Sequence, residues 1–153
     1  MTVPLACGTG RGMPVDGDGG PSDGAADGGL ARPVEIGTGA EAFEPLSDGQ
    51  TLPIIAGPQG GFHLWAAARV REPIDPENLS LRFRVLLDGG TQSDNTWKLS
   101  LVQNGDAWEW FALTEVLSNP DAVRGKEVEF RLDVTDTAGR TASDARRIIP
   151  VGP

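Results

Sequence analysis

The sequence predicts an all-β domain, an antiparallel β-sandwich over residues 34–153, behind a flexible Gly/Asp-rich tail over 1–33. Three observations carry this. Apolar and polar residues alternate strictly in the clearest segments, with Leu79, Leu81, Phe83, Val85 and Leu87 on one face and Ser80, Arg82 and Arg84 on the other. Successive side chains of a strand point to opposite faces, so this is the pattern of a half-buried strand. Short segments of this kind are separated by Gly, Asn, Asp and Pro turn signals, the spacing of a sandwich. Composition also shifts abruptly near residue 33, where the crowding of glycine ends.

In chain order, the tail comes first. Pro14 to Gly29 is dominated by Gly, Asp, Pro, Ser and Ala, with no aromatic residue. Such a segment has too little apolar surface to offset the entropy of ordering it, and its charges repel, so an extended linker is expected. Asp16, Asp18, Asp23 and Asp27 invite a calcium loop, but counting from Asp16 puts Gly20 and Pro21 where an EF-hand needs an oxygen ligand and glycine. No metal site is expected there.

Beyond residue 33, Leu52–Ala56 is a short run after Asp48-Gly49. Phe62–Val70 places Phe62, Leu64, Ala66, Ala68 and Val70 on one face, followed by the 79–87 strand. The polar stretch Gly89–Asn95 reads as a flexible, ligand-facing loop, and Trp97–Gln103 as a strand with Trp97, Leu99 and Leu101 together. Asn104-Gly105 marks a hairpin into the aromatic-rich run Ala107–Thr114. Asn119 caps one helical turn with Pro120 at its first position. Val128, Phe130, Leu132 and Val134 form the inward row of another strand, and Ile148–Val151 closes the chain. The count is about seven strands.

Charge and composition exclude several functions. A net charge of −9, with basic residues scattered singly except for Arg146-Arg147, leaves no stripe to replace phosphate counterions. No nucleic-acid partner is expected. Apolar runs of about five residues fall far short of the roughly twenty that cross a bilayer. With His63 the only histidine and Cys7 the only cysteine, neither a blue-copper site nor a His-rich zinc site can be assembled. No Gly-x-Ser-x-Gly elbow occurs, and Gly57–Gly61 lacks the lysine of a phosphate loop. Glu127 and Glu129 share a strand face and read as solvated. The expectation is a non-catalytic domain without cofactor or metal.

The remaining candidates are aromatic. Trp108 and Trp110 share a strand face and form a candidate ligand platform, unless they fill the core with Trp65 and Trp97. His63, opposite the Phe62–Leu64 face, is a third candidate ligand contact. The partner is then an unknown protein or a glycan.

Two resemblances add to this reading. Leu5-Ala6-Cys7-Gly8, with its polar tether, resembles the lipobox of bacterial lipoproteins, in which the signal peptide is cut before a cysteine that becomes lipidated. Pro4 stands where that family usually has leucine, and six residues precede Cys7, too few for a charged and apolar signal stretch. The resemblance therefore expects either a start upstream of Met1 or a shortened or misplaced one. It implies lipidation at Cys7 as the one route to a membrane, and residence in the periplasm or at the outer membrane or cell surface. Phe130–Ser143, with Val134-Thr135-Asp136 entering a turn at Gly139, resembles the final hairpin of disulfide-free bacterial immunoglobulin-like domains, and Gly57–Trp65 is similar to a stretch of uncharacterised lipoprotein-like proteins. Together these imply an immunoglobulin-like domain for adhesion, scaffolding or protein binding, with a carbohydrate-binding module on the exposed tryptophans as the alternative.

Overall fold

The structure is a computed structural model and describes residues 32–153. The compact unit spans Pro33–Pro153. Its elements are β1 (Val34–Thr38), β2 (Glu44–Pro45), β3 (Gln50–Pro53), β4 (Ile55–Ala56), β5 (Phe62–Val70), β6 (Leu79–Leu87), β7 (Gly90–Leu99), β8 (Val102–Asn104), β9 (Ala107–Leu117), α1 (Pro120–Val123), β10 (Val128–Thr135) and β11 (Thr141–Val151). They form two sheets: sheet A in the order β2-β1-β5-β9-β8, with β4 also on β5, and sheet B in the order β3-β11-β10-β6-β7. Every pairing is antiparallel except β3 with β11. The orders β1-β5-β9-β8 and β11-β10-β6-β7 reproduce the A-B-E-D and G-F-C-C′ arrangement of immunoglobulin-like sandwiches.

The core is the seam between the sheets. Sheet A contributes Leu64, Ala66, Ala68 and Val70 from β5 and Val34 and Ile36 from β1; sheet B contributes Leu79, Leu81, Phe83 and Val85 from β6 and the Val128–Val134 row from β10. The rings of Phe83 and Phe130 lie 6.0 Å apart within it. Fully burying one such side chain is worth roughly 1.5–3 kcal/mol, so these rows dominate the stability of the fold. The helical turn forms at Pro120–Val123 and buries Val123.

Among the described residues the strand count is eleven rather than about seven, because short edge pieces escape periodicity. Gly89–Asn95 is corrected most clearly. Only Asp88-Gly89 turns, and residues 90–95 belong to β7, paired with β6 from Leu87↔Gly90 to Leu79↔Leu99. Their polarity reflects a sheet edge that needs little apolar surface. The expected strand Trp97–Gln103 is divided between β7 and β8, where the Leu101 backbone N–H donates to the Pro76 carbonyl at 3.0 Å.

Two further devices fix the sheet edges. On the outer face of sheet A, Phe43 lies over Gly37, where an added Cβ would sit 2.5 Å from the Phe43 ring and 2.7 Å from the Glu44 carbonyl. At the inner edge, the Ile36 backbone N–H donates to Asp144 on β11 at 2.9 Å, so a carboxylate of sheet B satisfies an edge amide of sheet A. Gly37→Ala is therefore expected to lower stability by about 1–3 kcal/mol through overpacking. The check is a fall in the urea midpoint at unchanged m-value.

Candidate functional site

Cross-strand register assembles an aromatic patch on the outer face of sheet A. His63 pairs with Ile55 on one side and Val116 on the other, and Trp65 pairs with Thr114. The His63 and Trp65 rings meet edge to face at 4.6 Å. Val116 is 50% exposed and Phe111 38%. Burial lowers the His63 pKa, and its Nε2 has no hydrogen-bond partner among the described residues. A neutral imidazole therefore adds to the apolar character of this half-face.

The rest of the outer face is ionic. Arg69 Nε bonds Glu109 at 2.7 Å, Arg71 bonds Glu35 at 2.7 Å, and the Arg69 guanidinium stacks 4.1 Å above the Phe43 ring. Burial alone would raise Glu35, but Arg71 and Arg69 hold it below its ordinary value. These charges satisfy one another and border the patch.

The three sequence candidates do not converge. Trp108 and Trp110 lie opposite Val70 and Ala68, on the inward side, whereas His63 is on the outward side. Trp108 packs against the core and lines a groove of about 430 Å³ with Glu72, Pro73, Ile74, Asp75, Pro76 and Arg140. Trp110 is 37% exposed and does not line that groove. Of the two residues expected to accompany these tryptophans in the core, Trp97 packs against it and Trp65 faces outward. Cys7 lies outside the described residues. Missed from sequence were Ile55, Val116 and Trp65 on the patch, and Asp75 and Arg140 at the groove. Only register and long-range turn packing bring them together.

A buried polar cluster sits between the sheets. Glu115 is fully buried, and its Oε2 contacts Ser93 Oγ of β7. The same Ser93 oxygen reaches the Val116 carbonyl at 2.6 Å, and Asn95 Nδ2 donates to it at 3.4 Å. A hydroxyl has one proton, and the Val116 carbonyl can only accept. With the serine proton given there, the Ser93–Glu115 contact needs a proton on the carboxyl. Burial pushes Glu115 up to about 7, against the opposing pull of Ser93 and Asn95. The other oxygen, Oε1, has no partner among the described residues. Ser93 and Glu115 face inward and His63 faces outward, so these three residues lie on opposite sides of sheet A.

Asp136 shows the opposite case. It accepts from the backbone N–H groups of Asp75 at 3.1 Å, Ala138 at 3.0 Å and Arg140 at 2.8 Å, and from Arg140 Nε at 2.8 Å. Burial alone would raise its pKa, yet these donors hold it at about 2.

The two carboxyls give stability a pH optimum. Glu115 titrates higher in the folded chain than its ordinary 4.5, so its contribution is full below that value and is lost as pH rises through about 7. Asp136 titrates lower than its ordinary 3.8, so its contribution is full above that value and is lost as pH falls through about 2. Glu115→Gln should flatten the neutral limb, recovering up to roughly 3 kcal/mol at about pH 8. Chemical denaturation across pH checks this; an unchanged neutral slope contradicts it.

No protein-family model and no curated protein matches this chain. Among solved structures it is similar to the CooA pilin subunit from enterotoxigenic Escherichia coli, at 9% identity and a TM-score of 0.32, over 78% of this chain and 99% of that one.

Proposed function

We infer that this is a non-catalytic, immunoglobulin-like binding domain that works outside the cytoplasm and engages a protein partner through the outer face of sheet A. The observation that carries the reading is the patch of Ile55, His63, Trp65 and Val116, with Val116 half exposed on a sheet face whose other half is closed by Phe43 and satisfied ion pairs. An uncovered apolar area with a charged border is the form of a protein contact surface. The burial of Ser93 and Glu115 away from His63 supports a binding role over hydrolysis. Placement outside the cytoplasm, by a lipid anchor at Cys7, rests on the Leu5–Gly8 resemblance. Among the described residues no helix is long and apolar enough to cross a membrane.

Photo-crosslinking in the producing cells tests the reading. A benzoylphenylalanine at position 116 should give a discrete adduct from the envelope fraction, lost in Trp65→Asp. The same probe at position 94, on sheet B, should give none. No adduct from position 116, or equal adducts from both faces, contradicts it.

A further inference from the structure

The groove at the end of the sandwich is independent of the sheet-A patch and differs from it in chemistry. It is formed where the β5–β6 connection and the β10–β11 turn flank Trp108, and its volume of about 430 Å³ falls in the range of small-ligand sites, roughly 300–1,000 Å³. Its lining combines an indole with Pro73, Ile74 and Pro76, and adds Glu72, Asp75 and Arg140.

Two of the three polar residues, Asp75 and Arg140, are held before any ligand arrives. Asp136 is buried and ties the two sides together, accepting from the Asp75 backbone N–H at 3.1 Å and from Arg140 Nε at 2.8 Å. The Glu77 N–H donates to Asp75 Oδ1 at 3.0 Å, and the Leu101 N–H to the Pro76 carbonyl at 3.0 Å. Arg140 is thus anchored at Nε while its side chain remains 49% exposed. A prearranged wall reduces the ordering cost of binding.

Charge selects the ligand class. An anion entering the groove meets the carboxylates of Glu72 and Asp75, and a cation meets the exposed end of the Arg140 guanidinium, whose charge Asp136 offsets in part. A neutral ligand that both donates and accepts hydrogen bonds meets all three favourably, and Trp108 asks in addition for a flat apolar face. Sugar rings have both properties: equatorial hydroxyls around the rim and C–H groups on the face. We propose that the Trp108 groove is a binding site for a neutral glycan, with Trp108 under the ring, Glu72 and Asp75 accepting hydroxyl protons and Arg140 donating.

Two-dimensional NMR of the indole N–H groups tests this on the full chain, with maltotetraose, cellotetraose and mannotetraose as probes and Trp108→Phe to assign the signal. At least one sugar should give a saturable shift of the Trp108 indole at concentrations up to about 10 mM, with the Trp65 and Trp97 signals unmoved. Glu72→Ala, at an exposed position, should weaken that response about tenfold without altering the rest of the spectrum. Three results overturn the proposal: no shift with any of the sugars, a shift indifferent to Glu72→Ala, or a stronger response to Nα-acetyl-lysine amide. The crosslinking outcome at position 116 bears on the other face and is unaffected by any of these.

Discussion

Everything in this fold depends on one geometric constraint, that each strand can bury only one of its two rows of side chains in a single seam. On β5 the buried row is Leu64, Ala66, Ala68 and Val70, and all four members are fully buried between their neighbouring strands and the opposing sheet. The other row must then lie outward, which is why His63 and Trp65 are displayed together. On β9 the same constraint is interrupted. Between Ala66↔Leu113 and Ala68↔Trp110, β9 spends one residue more than β5, and Ala112 takes a φ of 60°. This bulge turns the inward row from even to odd numbers, from Trp108 and Trp110 to Leu113, Glu115 and Leu117. The Ala112 N–H is satisfied by the Gly39 carbonyl at 2.9 Å, so the irregularity is supported by β1's exit rather than left open.

The polar groups admitted to the interior follow different rules according to how many donors surround them. Asp136 is enclosed by backbone N–H groups and a guanidinium, which stabilise its charge and fasten two distant loops. Asp144 is similarly employed between the sheets, accepting from Ile36. Glu115 has a serine and an apolar seam for surroundings, so the proton-bearing form fits its site. One carboxyl locks a turn, one links the layers, and one makes the interior sensitive to neutral pH.

How much of this was legible in the chain follows from the same distinction between local and non-local order. Alternation over 79–87 and 128–134 is local and marks the inward rows of β6 and β10 correctly, and the Asn104-Gly105 hairpin and the Pro120 helical turn are equally local. Gly89–Asn95 defeated composition because an edge strand is held by backbone pairing and can be polar. Little of the patch was visible: His63 stands out as a candidate, but Trp65 reads as a core residue, and their neighbours Ile55 and Val116 depend on register across three strands. Nothing in the spacing of Trp108 and Trp110 discloses the bulge beside them, or that residues 72–76 and Arg140 close around one of the pair.

The most direct test is the direction in which β5 side chains face, measured by nuclear Overhauser contacts in solution. With the seam as described, protons of the Leu64–Val70 row contact the core of sheet B, including the Phe83 and Phe130 rings, while the His63 and Trp65 rings show contacts only to each other and to residues of the outer face. Contacts from His63 or Trp65 to Phe83 or Phe130 would contradict the two-layer arrangement and the surfaces derived from it.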